Sequence, residues 1–183
     1  MSILRLADCP ARPWKNGLGH TREMAVHPPG AGMDDFLWRV SIAEVEGAAP
    51  FSAFRGIDRV IALLEGDGFT MALDDGRIHA LTTPCMPFAF PGEAGVDVAL
   101  AGGPSRDFNL MLRRGRVRGG IEAWRTAGPR QAGATLTLVY CASGHIDTGE
   151  GVLQAGDAWR PGSGALSLHE DSLALAVHIE PVA

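Results

Sequence analysis

Gly151-Val152-Leu153-Gln154-Ala155-Gly156-Asp157-Ala158-Trp159-Arg160-Pro161-Gly162 is the stretch that decides how this chain folds. A short apolar strand, a glycine-aspartate turn, an aromatic residue and a proline-glycine stop follow one another. Tyr140-Cys141-Ala142-Ser143-Gly144-His145 leads into it as a strand ending on a glycine. The same order occurs upstream: Leu64-Glu65-Gly66, a strand, the Asp75-Gly76 turn, a strand ending at Leu81, then Pro87-Phe88-Ala89-Phe90-Pro91-Gly92. The Gly-x-Leu-x-x-Gly-Asp spacing is that of small jelly-roll barrels, which close a sheet on itself and so lose exposed edges. Two copies predict two such barrels.

Working outward, period-two alternation dominates. Phe36, Trp38, Val40 and Ile42 alternate with Leu37, Arg39, Ser41 and Ala43, and Phe108, Leu110 and Leu112 alternate with Asp107, Asn109 and Met111. Residues 69–73 and 77–81 flank Asp74-Asp75-Gly76, a hairpin signal. Residues 135–140 and 173–179 read as strands too, and glycine and proline leave almost no window for an ordinary helix. The chain is therefore expected to be all-β. The run Arg113-Arg114-Gly115-Arg116-Val117-Arg118-Gly119-Gly120 interrupts the apolar rhythm. It sets an expected border between a barrel over residues 1–115 and a second over residues 116–183.

At 183 residues the chain is long enough to bury a genuine core. A net charge of −5 argues against a nucleic-acid partner. Lys15 is the only lysine beside fifteen arginines, a bias from which no function is drawn. Cys9, Cys85 and Cys141 are odd in number and far apart, which suits a reducing compartment. No export signal or membrane-length apolar run is read, so the expected location is cytoplasmic, with no membrane partner.

Chemistry-bearing motifs are sparse. A metal site in such a barrel takes two histidines at i and i+2 on one strand, a carboxylate and a further histidine. His20, His27, His79, His145, His169 and His178 contain no such pair, and His145 with Asp147 is two ligands only, so no metal and no cofactor is expected. There is no Gly-x-Ser-x-Gly elbow, and Gly17-Leu18-Gly19 lacks the rest of a dinucleotide fingerprint. Nothing beside the three cysteines suggests an activated thiolate.

Polar density is instead concentrated in four segments. Pro13-Trp14-Lys15-Asn16-Gly17-Leu18-Gly19-His20-Thr21-Arg22-Glu23 carries donors and two glycines that allow close backbone approach, more than an Asn-Gly turn requires. Arg39 and Ser41 share one strand face, as do Asp107 and Asn109, and Phe51-Ser52-Ala53-Phe54-Arg55-Gly56-Ile57-Asp58-Arg59 leads into an apolar strand. Taken singly, each suits a strand with one wet face.

Taken together, Pro-Trp-Lys-Asn-Gly-x-Gly-x-Thr-Arg-Glu at 13–23, Phe-x-Trp-Arg-x-Ser-Ile-Ala at 36–43, Phe-Ser-x-Phe-x-Gly-x-x-Arg at 51–59 and Gly-Pro-x-x-Asp-Phe-Asn at 103–109 resemble the HutD/Ves family. The resemblance is specific over roughly the first 110 residues and diffuse beyond. It implies a bicupin, two jelly-roll β-barrels in one chain. Many members are encoded with histidine-utilisation genes and have been thought to bind a pathway metabolite; others were named as stress-related. The family usually has three consecutive glycines where Leu18 here replaces the middle one.

The resemblance also implies convergence of the four segments on one pocket. Arg59 and Arg22 are then the expected anion anchors, since a guanidinium fork matches a carboxylate. Asn16, Thr21, Ser41 and Asn109 would orient the ligand, Trp38 or Phe54 would form an apolar wall, and Arg39 and Asp107 complete the expected set, with Asp107 and Glu23 either holding the arginines or touching ligand. The expected function is metal-free, non-catalytic binding of a small carboxylate such as urocanate or formylglutamate. Two alternatives stay open: a small isomerase or hydrolase with Glu23 or Asp107 as base, and a protein-interaction module. A homodimer is a further partner state the sequence leaves open.

Overall fold

The structure is a computed structural model and describes residues 3–162 and 164–183. Among these residues the one helical element is a 3-10 turn at Leu6–Asp8, and every other regular element is a strand, as the alternation predicts. No described helix is long and apolar enough to cross a membrane.

The chain divides into two compact units, Pro10–Val117 and a second that joins the stretch ending at Cys9 to residues 118–183. The expected split at 115 placed the first residues in the first unit. Pairing accounts for the difference: Ile3–Leu4 runs antiparallel to Ala158–Trp159, with Ile3 opposite Trp159. Arg5 then ion-pairs with Asp157 and donates to the Val152 carbonyl at 3.2 Å. Asp157 also accepts from the Gln154 amide at 2.8 Å, while Gly156 takes φ +94°. The Gly-Asp of the opening stretch is thus a turn in which glycine supplies the left-handed backbone and aspartate both closes the loop and fixes an incoming strand.

In the Pro10–Val117 unit a six-stranded antiparallel sheet runs in the order Ala11–Pro13, Gly19–His27, Trp38–Val45, Ser105–Arg113, Ile57–Gly66, Phe88–Pro91. A three-stranded sheet, Ile78–Leu81, Phe69–Leu73, Val96–Leu100, faces it. Ile61, Leu63 and Phe90 of the larger sheet pack with Phe69, Met71, Leu81 and Val96 of the smaller. The Asp74-Asp75-Gly76 signal forms the expected hairpin, with the Leu73 amide donating to the Arg77 carbonyl at 2.9 Å.

The other unit pairs a five-stranded sheet, Ile3–Leu4, Ala158–Trp159, Leu136–Ser143, Leu173–Pro181, Val117–Trp124, with a four-stranded one, Gly128–Gln131, Ala165–Leu168, His145–Thr148, Gly151–Gln154. Its core gathers Trp124, Val139, Cys141, Ile146, Leu153, Trp159, Leu166 and Leu168.

Among the described residues neither unit closes its ladders into a ring, so the sheets are open where the sequence predicts barrels. In the first unit the chain passes between the edge strands Ile78–Leu81 and Phe88–Pro91 through Pro84 and Pro87, which have no N–H to continue a ladder. The apolar seam between two sheets, rather than circumferential hydrogen bonding, holds each unit together.

Candidate functional site

Antiparallel register in the six-stranded sheet sets side chains into cross-sheet rows. One row is Val26, Arg39, Met111, Arg59, Phe90; the next is Glu23, Ser41, Asn109, Ile61, Phe88; the third is Arg12, Thr21, Ala43, Asp107, Leu63. Because side chains alternate along a strand, positions two apart share a face, so all three rows lie on the same side of the sheet. That side carries Ile61, Leu63 and Phe90 into the core against the smaller sheet. A second apolar cluster of Phe36, Ile57 and Met111, with Phe54 beside it, flanks the rows at the other end. A polar strip of Glu23, Arg39, Ser41, Asn109, Arg59 and Asp107 thus lies between two apolar clusters.

Arg59 is only 8% exposed. Its Nε and Nη2 both donate to Asn109 Oδ1, at 3.2 and 2.9 Å. Its guanidinium carbon lies 4.9 Å from the Phe90 ring centre, 5.0 Å from that of Phe51 and 5.6 Å from that of Phe54. The rings favour a cation electrostatically and keep water away, while the amide fixes the plane of the fork. Of five guanidinium N–H groups Asn109 takes two, leaving three to offer. Among the described residues no carboxylate pairs with Arg59. Burial lowers its pKa to about 10, with the charge of Asp107 opposing that shift and the charge of Arg39 adding to it.

Arg39 is held differently. Its Nε donates to Glu23 Oε2 at 2.7 Å and its Nη1 reaches Ser41 Oγ at 3.4 Å. Asp107 is 2% exposed and sits opposite Ala43 and Leu63, two side chains with nothing to donate. Burial pushes its pKa up to about 7, against the pull of Arg59. Below that pH the strip carries two guanidinium charges against the single carboxylate of Glu23 and is cationic. Such a donor set does not suit a metal ion, and among the described residues no three His, Cys, Asp or Glu side chains are grouped to hold one.

The structure brings together Arg39, Ser41, Arg59, Asp107 and Asn109, with Phe54 as wall and Thr21 at the rim. It moves three expected residues elsewhere. Arg22 stands opposite Ile42, on the reverse face, where it pairs with Glu44 at 3.5 Å. Trp38 also faces away and stacks on His27, ring centres 5.7 Å apart. Asn16 is exposed, and its Oδ1 accepts from the Leu18 amide at 3.1 Å, an ordinary Asn-Gly turn with Gly17 at φ +70°. Gly19 is glycine for a different reason: a Cβ there would lie 2.3 Å from the Glu44 carbonyl oxygen. Trp14 reaches back to donate to Thr21 Oγ1 at 2.8 Å, so much of this segment's polar density serves its own hairpin. Phe51 and Phe90 are the additions that sequence reading missed. His79, stacked flat on Phe88 at 3.8 Å and lowered in pKa by burial, joins them at the aromatic end. The alternation Phe88-Ala89-Phe90 was the available signal for that wall.

Sandwiches of this kind are cupin-like in fold. A mutant oxalate decarboxylase of Bacillus subtilis shares the fold, at a TM-score of 0.63 and 8% identity over 100% of this chain and 79% of that one. The chain belongs to the HutD family, whose model matches residues 6–180. A Pseudomonas putida protein described as an uncharacterized 21.2 kDa protein in the hutC 3′ region is 39% identical over 147 residues, 80% of this chain and 76% of its own. Protein Ves of Citrobacter koseri is 35% identical over 175 residues, 92% of this chain and 87% of its own. The structure of HutD from Pseudomonas fluorescens SBW25, in a formate condition, has a TM-score of 0.85 and 29% identity over 100% of this chain and 99% of that one.

Proposed function

We propose that this chain is a metal-free bicupin of the HutD/Ves type that acts in histidine utilisation by binding a small carboxylate, such as urocanate or formylglutamate, on the polar strip of the Pro10–Val117 unit. One observation carries the reading: Arg59 is a buried guanidinium, oriented by Asn109, with N–H groups to offer and, among the described residues, no hydrogen-bonded carboxylate. It feels the charge of Asp107 without a hydrogen bond to it, and an anionic ligand would supply a directly bonded partner. The hut-region relative and the HutD structure support a link to histidine utilisation, the pathway from which the two candidate acids are drawn.

Binding raises apparent stability by mass action, about 2.7 kcal/mol at ligand a hundredfold above Kd. Calorimetric titration and thermal shift with urocanate and formylglutamate test the reading. Heat and a raised Tm in the parent, absent in Arg59→Met, are expected; no response to either acid, or an unchanged response in Arg59→Met, overturns it.

A second reading, a small isomerase or hydrolase, is favoured by the buried Asp107 carboxyl, whose pKa of about 7 suits proton transfer. Glu23 is spent on Arg39 and drops out of that role. Product formation from either acid that disappears in Asp107→Asn would put this reading first.

A further inference from the structure

The strip contains two carboxyl groups, and the structure treats them differently. Glu23 is engaged by Arg39 at 2.7 Å. Asp107 is buried, and among the described residues it accepts no hydrogen bond: Arg59 is turned toward Asn109, and the Arg39 fork toward Glu23 and Ser41. Directly across from Asp107 stand Leu63 on one side and Ala43 on the other. Ala43 is partly exposed and sets only a methyl group across from the carboxyl. Most buried carboxyl groups are hydrogen-bonded within their own protein. One that is not has its acceptor capacity left for a partner from outside.

Resting on the carboxylate reading above, we infer that Asp107 is a specificity residue that accepts a hydrogen bond from the ligand, so that the ligand class is an acid that also carries an N–H donor. The argument is electrostatic. A ligand carboxylate seated on Arg59 brings a negative charge toward Asp107, and two carboxylates in a dry site cannot both stay ionised without a proton between them. A ligand N–H placed between them donates a hydrogen bond to the ionised Asp107 and offsets part of that repulsion. An acid without one binds only after Asp107 takes up a proton from solvent, so its affinity falls as pH rises. The charged groups on its side of the sheet are Arg59 from the Ile57–Gly66 strand, Arg39 from Trp38–Val45, Glu23 from Gly19–His27 and Arg12 from Ala11–Pro13; on its own strand its face-mate is the neutral Asn109, and His79 of the smaller sheet stacks on Phe88 at the aromatic end. The part of the pH dependence that belongs to Asp107 is the part that Asp107→Asn removes.

Matched acids test this. Formylglutamate is compared with glutarate, which lacks the amide N–H, and urocanate with furylacrylate, which replaces the imidazole by a ring without N–H. In the parent protein at about pH 8 each N–H acid is expected to bind at least about tenfold more tightly than its match, and the gap to narrow by about tenfold in all toward about pH 6, as one linked proton with a pKa of about 7 requires. Asp107→Asn, which keeps size and an acceptor but loses the charge, is expected to fold and to abolish the pH dependence of glutarate and furylacrylate binding. The parent's own pH series decides the matter even if that variant fails to fold. Equal affinity within both pairs at the higher pH, or a pH dependence of glutarate and furylacrylate binding that survives in Asp107→Asn, overturns the inference while leaving the carboxylate reading intact. Absence of binding by all four acids across the range removes both.

Discussion

The two units are built alike and filled differently. Each sets a larger antiparallel sheet against a smaller one, yet the central strands of the second unit present Val139 and Cys141 opposite Ala176 and Ala174, with Trp159 1% exposed in the same cluster. In the Pro10–Val117 unit the central strands present Ser41, Asn109 and Asp107 with Arg59 beside them. One sandwich has spent its interior on stability. The other holds a buried cation and a buried carboxyl that are not paired by hydrogen bonds, an arrangement that lowers stability and is retained where function requires it.

Four substitutions break or sharpen this contrast. The largest effect belongs to the filled unit: Trp159→Ala leaves a cavity that neighbours cannot close and costs about 3–5 kcal/mol in chemical denaturation, without changing acid binding by whatever protein remains folded. Next, Arg59→Met removes about 2–5 kcal/mol of ligand affinity by titration, yet in the absence of ligand its denaturation midpoint matches or exceeds the parent's, because the desolvation cost of a buried guanidinium, only partly offset by the charge of Asp107, has gone. A loss of stability there would mean that Arg59 is structural and the contrast false.

Third comes the pH dependence of stability. Asp107 has a folded-state pKa raised to about 7, so between the ordinary carboxylate range and neutrality the folded chain binds a proton that the unfolded chain does not. This contribution therefore makes the fold less stable as pH rises through that window, and Asp107→Asn flattens the slope of Tm against pH. The smallest effect is that of Arg22→Ala. Its pair with Glu44 is partly exposed and on the reverse face, so it should cost under about 1 kcal/mol and leave acid binding unchanged.

Alternation alone carried much of this into view. It identified the strands, and it put Arg39 with Ser41 and Asp107 with Asn109 before any pairing was known. The same rule, applied strictly, separates Arg22 from Thr21 and Glu23, and Trp38 from Arg39 and Ser41; those two expectations failed because residue chemistry was allowed to outweigh parity. What alternation cannot supply is register. That Asn109 meets Ser41 on one side and Ile61 on the other depends on turn lengths and, against the Ile57–Gly66 strand, on a register shift between Arg106 and Asp107. The aromatic enclosure of Arg59 draws on residues 51, 54 and 90, whose proximity is a property of the folded sheet. Asn16 shows the converse: a motif dense in donors turned out to satisfy its own hairpin.

The Ile3–Leu4 strand gives the chain an unusual order of assembly. Its hydrogen-bonding neighbour Ala158–Trp159 leaves the ribosome only after the whole Pro10–Val117 unit has been made. The second sandwich is therefore assembled from segments on both sides of that unit, and separating the units by one cut near residue 117 would strip it of an edge strand and of the Arg5 partner of Asp157. A circularly permuted chain that starts at residue 10, finishes with the displaced segment after residue 183 and bridges the gap with a flexible linker would keep both sandwiches sequence-contiguous, and comparing its refolding rate with the parent's would show what this long-range closure contributes to the folding barrier.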